Sequence, residues 1–161
     1  IRGFLDQVKL LVDETGIDTR RFEFEITEGL LLADSAETHA ILKGIRDMGF
    51  QLALDDFGTG YSSLSYLKKY PITRIKIDRS FISTLGADDE SEDVVAAIVR
   101  LARALKMAVV AEGVETVDQR VRLASAGCRD IQGYLASKPL PVDAVQGFIE
   151  GYAKTATPEA A

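Results

Sequence analysis

Side-chain alternation inside the short β-like runs constrains this chain more than any other feature. In Arg74-Ile75-Lys76-Ile77-Asp78 the isoleucines fall on one face and the charged residues on the other, because successive side chains of a strand point opposite ways. The same split sets Phe22, Phe24 and Ile26 against Glu23 and Glu25, and Leu52 and Leu54 against Ala53 and Asp55, and it aligns Glu112 with Val110. A doubly wound parallel sheet buries both faces, so its strands read as continuous apolar runs. One apolar face under helices and one polar face turned inward is instead the pattern of a parallel βα barrel, whose strand ends carry functional groups.

Strands are expected at residues 22–27, 50–55, 74–78, 107–112 and 130–135, with helical periodicity over 4–15, 35–48, 62–69, 89–106, 116–126 and 142–153. Ser35 with Thr38, and Ser91 ahead of Val94, Val95 and Ile98, read as helix starts, while Gly49 and Gly127 read as stops. A closed eight-stranded barrel needs about 250 residues. The 161 residues are therefore read as α/β, a TIM-type partial barrel of about five βα units that lacks the N-terminal strands. Residues 1–153 are assigned to this domain and 154–161, small, polar and proline-containing, to a flexible tail.

Nineteen Lys+Arg against 25 Asp+Glu give a net charge of −6, which repels phosphate backbones and argues against duplex nucleic acid as a partner. A single cysteine, Cys128, and a single histidine, His39, remove disulfide scaffolds, Cys/His zinc sites and histidine-activated nucleophiles. Cys128 is expected to be a packing residue and His39 to face solvent. Apolar runs such as Met107 to Ala111 fall far short of the ~20 residues of a membrane span. Ile1 to Leu11 carry no secretory pattern, and the start without Met suggests an excised piece.

Chemistry is left to carboxylates and lysine. The expected strands end at Glu25 with Glu28, Asp55 with Asp56, Asp78, Glu112 with Glu115, and near Gln132, and in a parallel barrel these ends share one mouth. Carboxylates crowded there repel one another unless cations sit among them. Oxygen donors without His or Cys favour Mg²⁺ or Mn²⁺, and two such ions ~4 Å apart would activate water and neutralise charge on a phosphoryl group. Asp78 or Glu115 taken singly could equally be a turn former or a helix N-cap. Asp55-Asp56 ahead of Phe57-Gly58-Thr59-Gly60-Tyr61-Ser62-Ser63 reads as a ligand pair followed by a flexible loop, in which Ser62 and Ser63 would cap the next helix. Lys76, of inward parity, is expected to contact a carboxylate, a phosphate or a metal-bound water, since burying it unpaired is costly.

Five motifs in order resemble the EAL family, the bacterial phosphodiesterases that hydrolyse cyclic di-GMP. They are Glu25-Ile26-Thr27-Glu28, the stretch from Asp55 to Ser63, Ile75-Lys76-Ile77-Asp78, Ala111-Glu112-Gly113-Val114-Glu115 and Asp130-Ile131-Gln132-Gly133-Tyr134. The resemblance implies a TIM-type barrel with one reversed strand, a two-metal site and a product, linear pGpG. It implies that Glu25, Asp55 and Asp56 are metal ligands, that Glu112 is a ligand or helps activate water, and that Lys76 lies near that water. Glu28 would anchor the loop after Phe57, and Gln132, Glu115 and Asp78 would shape the substrate pocket. It further implies a homodimer through helices near 63–69 and 92–105, an upstream sensory or GGDEF-type domain and a cytoplasmic location, with any membrane anchor in other domains. The family's signature glutamate and an asparagine ligand would precede residue 1, so the isolated segment is expected to be inactive. Two other readings are a non-catalytic cyclic di-GMP receptor or regulatory dimerisation module, and a barrel lyase with Lys76 as base.

Overall fold

A computed structural model describes residues 3–32, 35–58, 64–87 and 89–155. Five strands are present among them, β1 (Glu23–Thr27), β2 (Gln51–Phe57), β3 (Arg74–Ile77), β4 (Ala108–Ala111) and β5 (Asp130–Ile131). They form one parallel sheet in the order β1-β2-β3-β4-β5. Sequential order matters because parallel crossovers are right-handed, so every connecting helix falls on the same side and the opposite face looks into a barrel interior. A doubly wound sheet would reverse its order at one point.

The helices are α1 (Phe4–Thr15), α2 (Glu28–Leu32), α3 (Ala36–Asp47), α4 (Leu64–Lys69), α5 (Arg79–Ser83), α6 (Asp89–Ala104), α7 (Val117–Ala126) and α8 (Val142–Thr155). Their starts follow local chemistry. Ser35 Oγ accepts the Thr38 N–H at 3.0 Å, as expected, and Thr116 with Gln119 forms a reciprocal capping box for α7. Gly127 ends α7 as expected, with φ 94°. Ser91 is no cap: α6 begins two residues earlier, and the buried Ser91 Oγ lies 2.6 Å from Thr84 Oγ1. The short helices α2 and α5 were not anticipated, and residues 132–135 turn away instead of continuing β5.

The helix-facing side of the sheet holds the core. Leu52, Leu54, Ile75 and Ile77 are buried there with Val95, Ile98 and Val99 of α6, so much of the α6 face considered for pairing is spent inside the chain. His39 is half-buried, its ring tilted against that of Tyr70 at 5.4 Å, which corrects the expectation that it faces solvent. Cys128 is 2% exposed, and burial, followed by the charge of Asp130, pushes its thiol up to about 11. A maleimide at pH 8 should therefore leave Cys128 unmodified until the chain unfolds, which intact-mass spectrometry reads directly.

No helix among the described residues is long and apolar enough to cross a membrane. The last of them, α8, is exposed from Val142 to Tyr152 and carries Val142, Val145, Phe148, Ile149 and Tyr152 along one stripe. Since α8 runs to Thr155, the expected tail begins as helix, and residues 156–161 lie outside the described residues, as do Ser62 and Ser63.

Candidate active site

Register carries the polar residues of successive strands onto one face. Glu25 pairs in register with Ala53, Ala53 with Arg74, and Lys76 with Val110, so all of these project to the barrel interior. Lys76 is the pivot. Its side chain is 5% exposed, and Nζ lies 2.7 Å from Glu25, 2.8 Å from Asp55 and 2.7 Å from Glu112. Of the contacts expected for it, carboxylates are the ones found. Burial works against the ammonium, but hydrogen bonds to Asp55, Glu112 and Glu25 outweigh it and hold its pKa above the usual lysine range.

Strict alternation would send Asp55 and Asp56 to opposite faces. It fails here because β2 bulges: from Leu54 to Phe57 it advances three residues while β3 advances two, from Ile75 to Ile77. Asp56 takes φ 52°, a left-handed conformation that Asp tolerates better than most residues. The extra residue re-aims one side chain, so that Asp55, Asp56 and Glu112 each offer a carboxylate oxygen within 4.8 Å of the others. Loss of solvent raises the Asp56 pKa above the ordinary carboxylate value, and the charges of Asp55 and Asp78 raise it further.

This donor set fits a hard divalent cation. Oxygens bound to one ion at about 2.1–2.4 Å stand no more than about 4.2–4.8 Å apart, and the three carboxylate oxygens here all lie within 4.8 Å of one another. Charge points the same way, since among the described residues Glu25, Asp55 and Glu112 share the one Lys76 ammonium and Asp56 adds a fourth carboxylate beside Asp55 and Glu112.

The remaining sequence candidates surround this cluster. Glu28 opens α2, and its Oε1 accepts the Gly58 N–H at 3.1 Å, next to the bulge. Asp78 caps α5, accepting from the Ser80 N–H at 3.0 Å and the Ser80 hydroxyl at 2.5 Å, and these bonds draw its pKa below the usual carboxylate range. Glu115 is not a cap: Thr116 fills that position, and Glu115 Oε1 lies 2.8 Å from Arg79 Nη2. Gln132 is exposed just past β5, where its backbone N–H reaches Ala111 O at 2.8 Å. Arg79 was overlooked in the sequence, because nothing local marks a cation whose partner lies 36 residues away.

Residues 2–139 match the protein family described as EAL domain. The cyclic di-GMP phosphodiesterase NbdA of Pseudomonas aeruginosa is 40% identical over 156 residues, which make up 97% of this chain and 20% of NbdA. The chain thus spans about a fifth of that relative's length. Among solved structures, the PaMucR phosphodiesterase in complex with c-di-GMP superposes with a TM-score of 0.84 at 39% identity, covering 89% of this chain and 58% of that one. Klebsiella pneumoniae BlrP1, solved with manganese and cyclic di-GMP, superposes with a TM-score of 0.76 at 36% identity, over 83% of this chain and 35% of that one. The parallel sheet, the inward acids and the match across residues 2–139 together place this chain in the EAL domain family.

Proposed function

We propose that the chain forms the catalytic wall of a metal-dependent phosphodiesterase that hydrolyses cyclic di-GMP to linear pGpG. The observation that carries this is the gathering of Glu25, Asp55 and Glu112 on the Lys76 ammonium, with Asp56 turned into the same cluster by the bulge. Relatives of the same fold bear the name of that activity or hold that dinucleotide with manganese.

Glu25, Asp55 and Asp56, with Glu112 beside them, would hold Mg²⁺ or Mn²⁺, and bound ions supply Lewis acidity toward phosphoryl oxygens and lower the pKa of water. Everything else falls to the chain. Lys76 stays protonated, so it serves as a donor that fixes three carboxylates and steadies developing negative charge, not as a base. Glu112, held by that ammonium, accepts a proton from the attacking water. Attack in line forms a new P–O bond as the P–O3′ bond breaks, and the leaving 3′-oxygen becomes a hydroxyl by taking up a proton from solvent, while Glu112 returns the water's proton to solvent. Glu28 steadies the turn at Gly58 and with it the bulge that aims Asp56. Gln132, Glu115 and Asp78 line the approach. A homodimer, an upstream GGDEF-type or sensory domain and a cytoplasmic location complete the reading, and mass photometry of the full-length protein tests the first of these.

Incubating the full-length protein with cyclic di-GMP and Mn²⁺ should yield pGpG. Asp55→Asn and Glu112→Gln should each cut turnover by more than the ~100-fold typical of residues that only support ligands. Binding without hydrolysis would replace this reading with a receptor.

A further inference from the structure

We infer that Arg79 is a substrate-binding residue that engages the phosphodiester of the dinucleotide that is not being cleaved. The inference rests on the phosphodiesterase reading above. Only Asp78 separates Arg79 from β3, whose Lys76 grips the acid cluster, and Arg79 opens α5 directly after the Asp78 cap. Its stem crosses the loop after β4 at a notch: a Cβ on Gly113 would stand 2.3 Å from Arg79 Cγ and 2.8 Å from its Cβ and Cδ. A side chain at residue 113, immediately after Glu112, would evict it.

Beyond the notch, Nη2 donates to Glu115 Oε1 at 2.8 Å. Glu115 is a fixed anchor, because its N–H donates to Gln119 Oε1 at 2.8 Å while Gln119 Nε2 donates to Ile82 O at 3.1 Å. The loop is pinned without Arg79, since Glu112 N–H also reaches Ile77 O and Val114 N–H reaches Gln132 O, both at 3.1 Å. Holding the backbone is therefore not what Arg79 is needed for. An ion pair between side chains 64% and 43% exposed adds little stability either.

What the arrangement achieves is a preset guanidinium beside the acids, with one of its five donors engaged among the described residues and the others offered to a second acceptor. Cyclic di-GMP carries two phosphodiesters. The one being cleaved would meet the metal cluster, and the acids flanking that cluster, Asp78 and Glu115, would repel the other. A guanidinium fixed beside those acids supplies its countercharge.

The test uses the full-length protein with Ca²⁺ in place of Mn²⁺, and calorimetric titration with cyclic di-GMP and, separately, with GMP, whose lone phosphate engages only the metal cluster. Arg79→Met should weaken cyclic di-GMP binding by roughly 10-fold or more, as expected for a lost charge-assisted hydrogen bond. It should leave GMP binding and the melting temperature unchanged, and in turnover with Mn²⁺ the loss should appear in KM rather than kcat. Arg79→Lys, which keeps the charge but loses the planar fork, should recover only part of the cyclic di-GMP affinity. Equal weakening of both ligands, or of neither, by Arg79→Met overturns the assignment alone. No cyclic di-GMP binding by the unsubstituted protein would remove it together with the phosphodiesterase reading.

Discussion

Replacing Lys76 with methionine is expected to cost the metal-free domain about 3 kcal/mol, the low end of the range for deleting one partner of a buried ion pair. Methionine keeps most of the stem but leaves Glu25, Asp55 and Glu112 facing one another where an ammonium stood 2.7–2.8 Å from each. The low end applies because Glu25 is half-exposed and water screens part of the repulsion. Urea denaturation in EDTA reads the loss. Added Mn²⁺ should return part of it, since an ion bound only by the folded cluster stabilises by RT ln(1 + [L]/Kd). The native lysine's own contribution should not fade near neutral pH. Its folded pKa is raised above the ordinary 10.5, so the contribution is complete below that value and is lost only as pH climbs through the higher, folded one. A Lys76→Met domain as stable in EDTA as its parent would show that the carboxylates escape to solvent without the ammonium.

Gly133→Ala should be at least as damaging, by about 3 kcal/mol or more, although it adds one methyl group and touches no charge. At φ 154° a Cβ would sit 2.3 Å from Val114 O and 2.4 Å from Val114 N, both backbone atoms with no rotamer to yield. Val114 is fully buried, its N–H bonded to Gln132 O at 3.1 Å and its O to the Leu135 N–H at 2.9 Å. Relief would therefore break the bonds that join the β4 and β5 ends, adding strain of about 1–3 kcal/mol to overpacking of similar size. Thermal melting checks the loss, and limited proteolysis should show new cleavage near residues 112–116. A melting temperature within a degree or two of the parent's would mean that the two segments separate at no cost.

How much of this was legible in the sequence depended on how local the cause was. The alternation of β3 set Lys76 inward, and its charge required partners, so both its burial and its contact with carboxylates could be anticipated. The end of β5 misled, because Asp130 to Leu135 alternates like a strand while Gly133 turns the chain against Val114. The five-residue helices α2 and α5 are too short to show periodicity, and only the Asp78 cap hinted at the second. Asp55 and Asp56 were read as a ligand pair and do lie with Glu112 in one cluster, yet the bulge was missed. Two adjacent strand residues that must serve one site require a break in alternation, and that signal was present. Arg79 and Glu115 meet through tertiary folding alone, and no window of sequence shows them together.

The stripe on α8, from Val142, 92% exposed, to Tyr152, is a helix face with no layer to cover. The described residues supply five parallel strands of the eight that a closed barrel needs, so the stripe is a surface on which further strands and helices of such a barrel would pack. Its bareness measures how much of the barrel's core lies outside these five βα units.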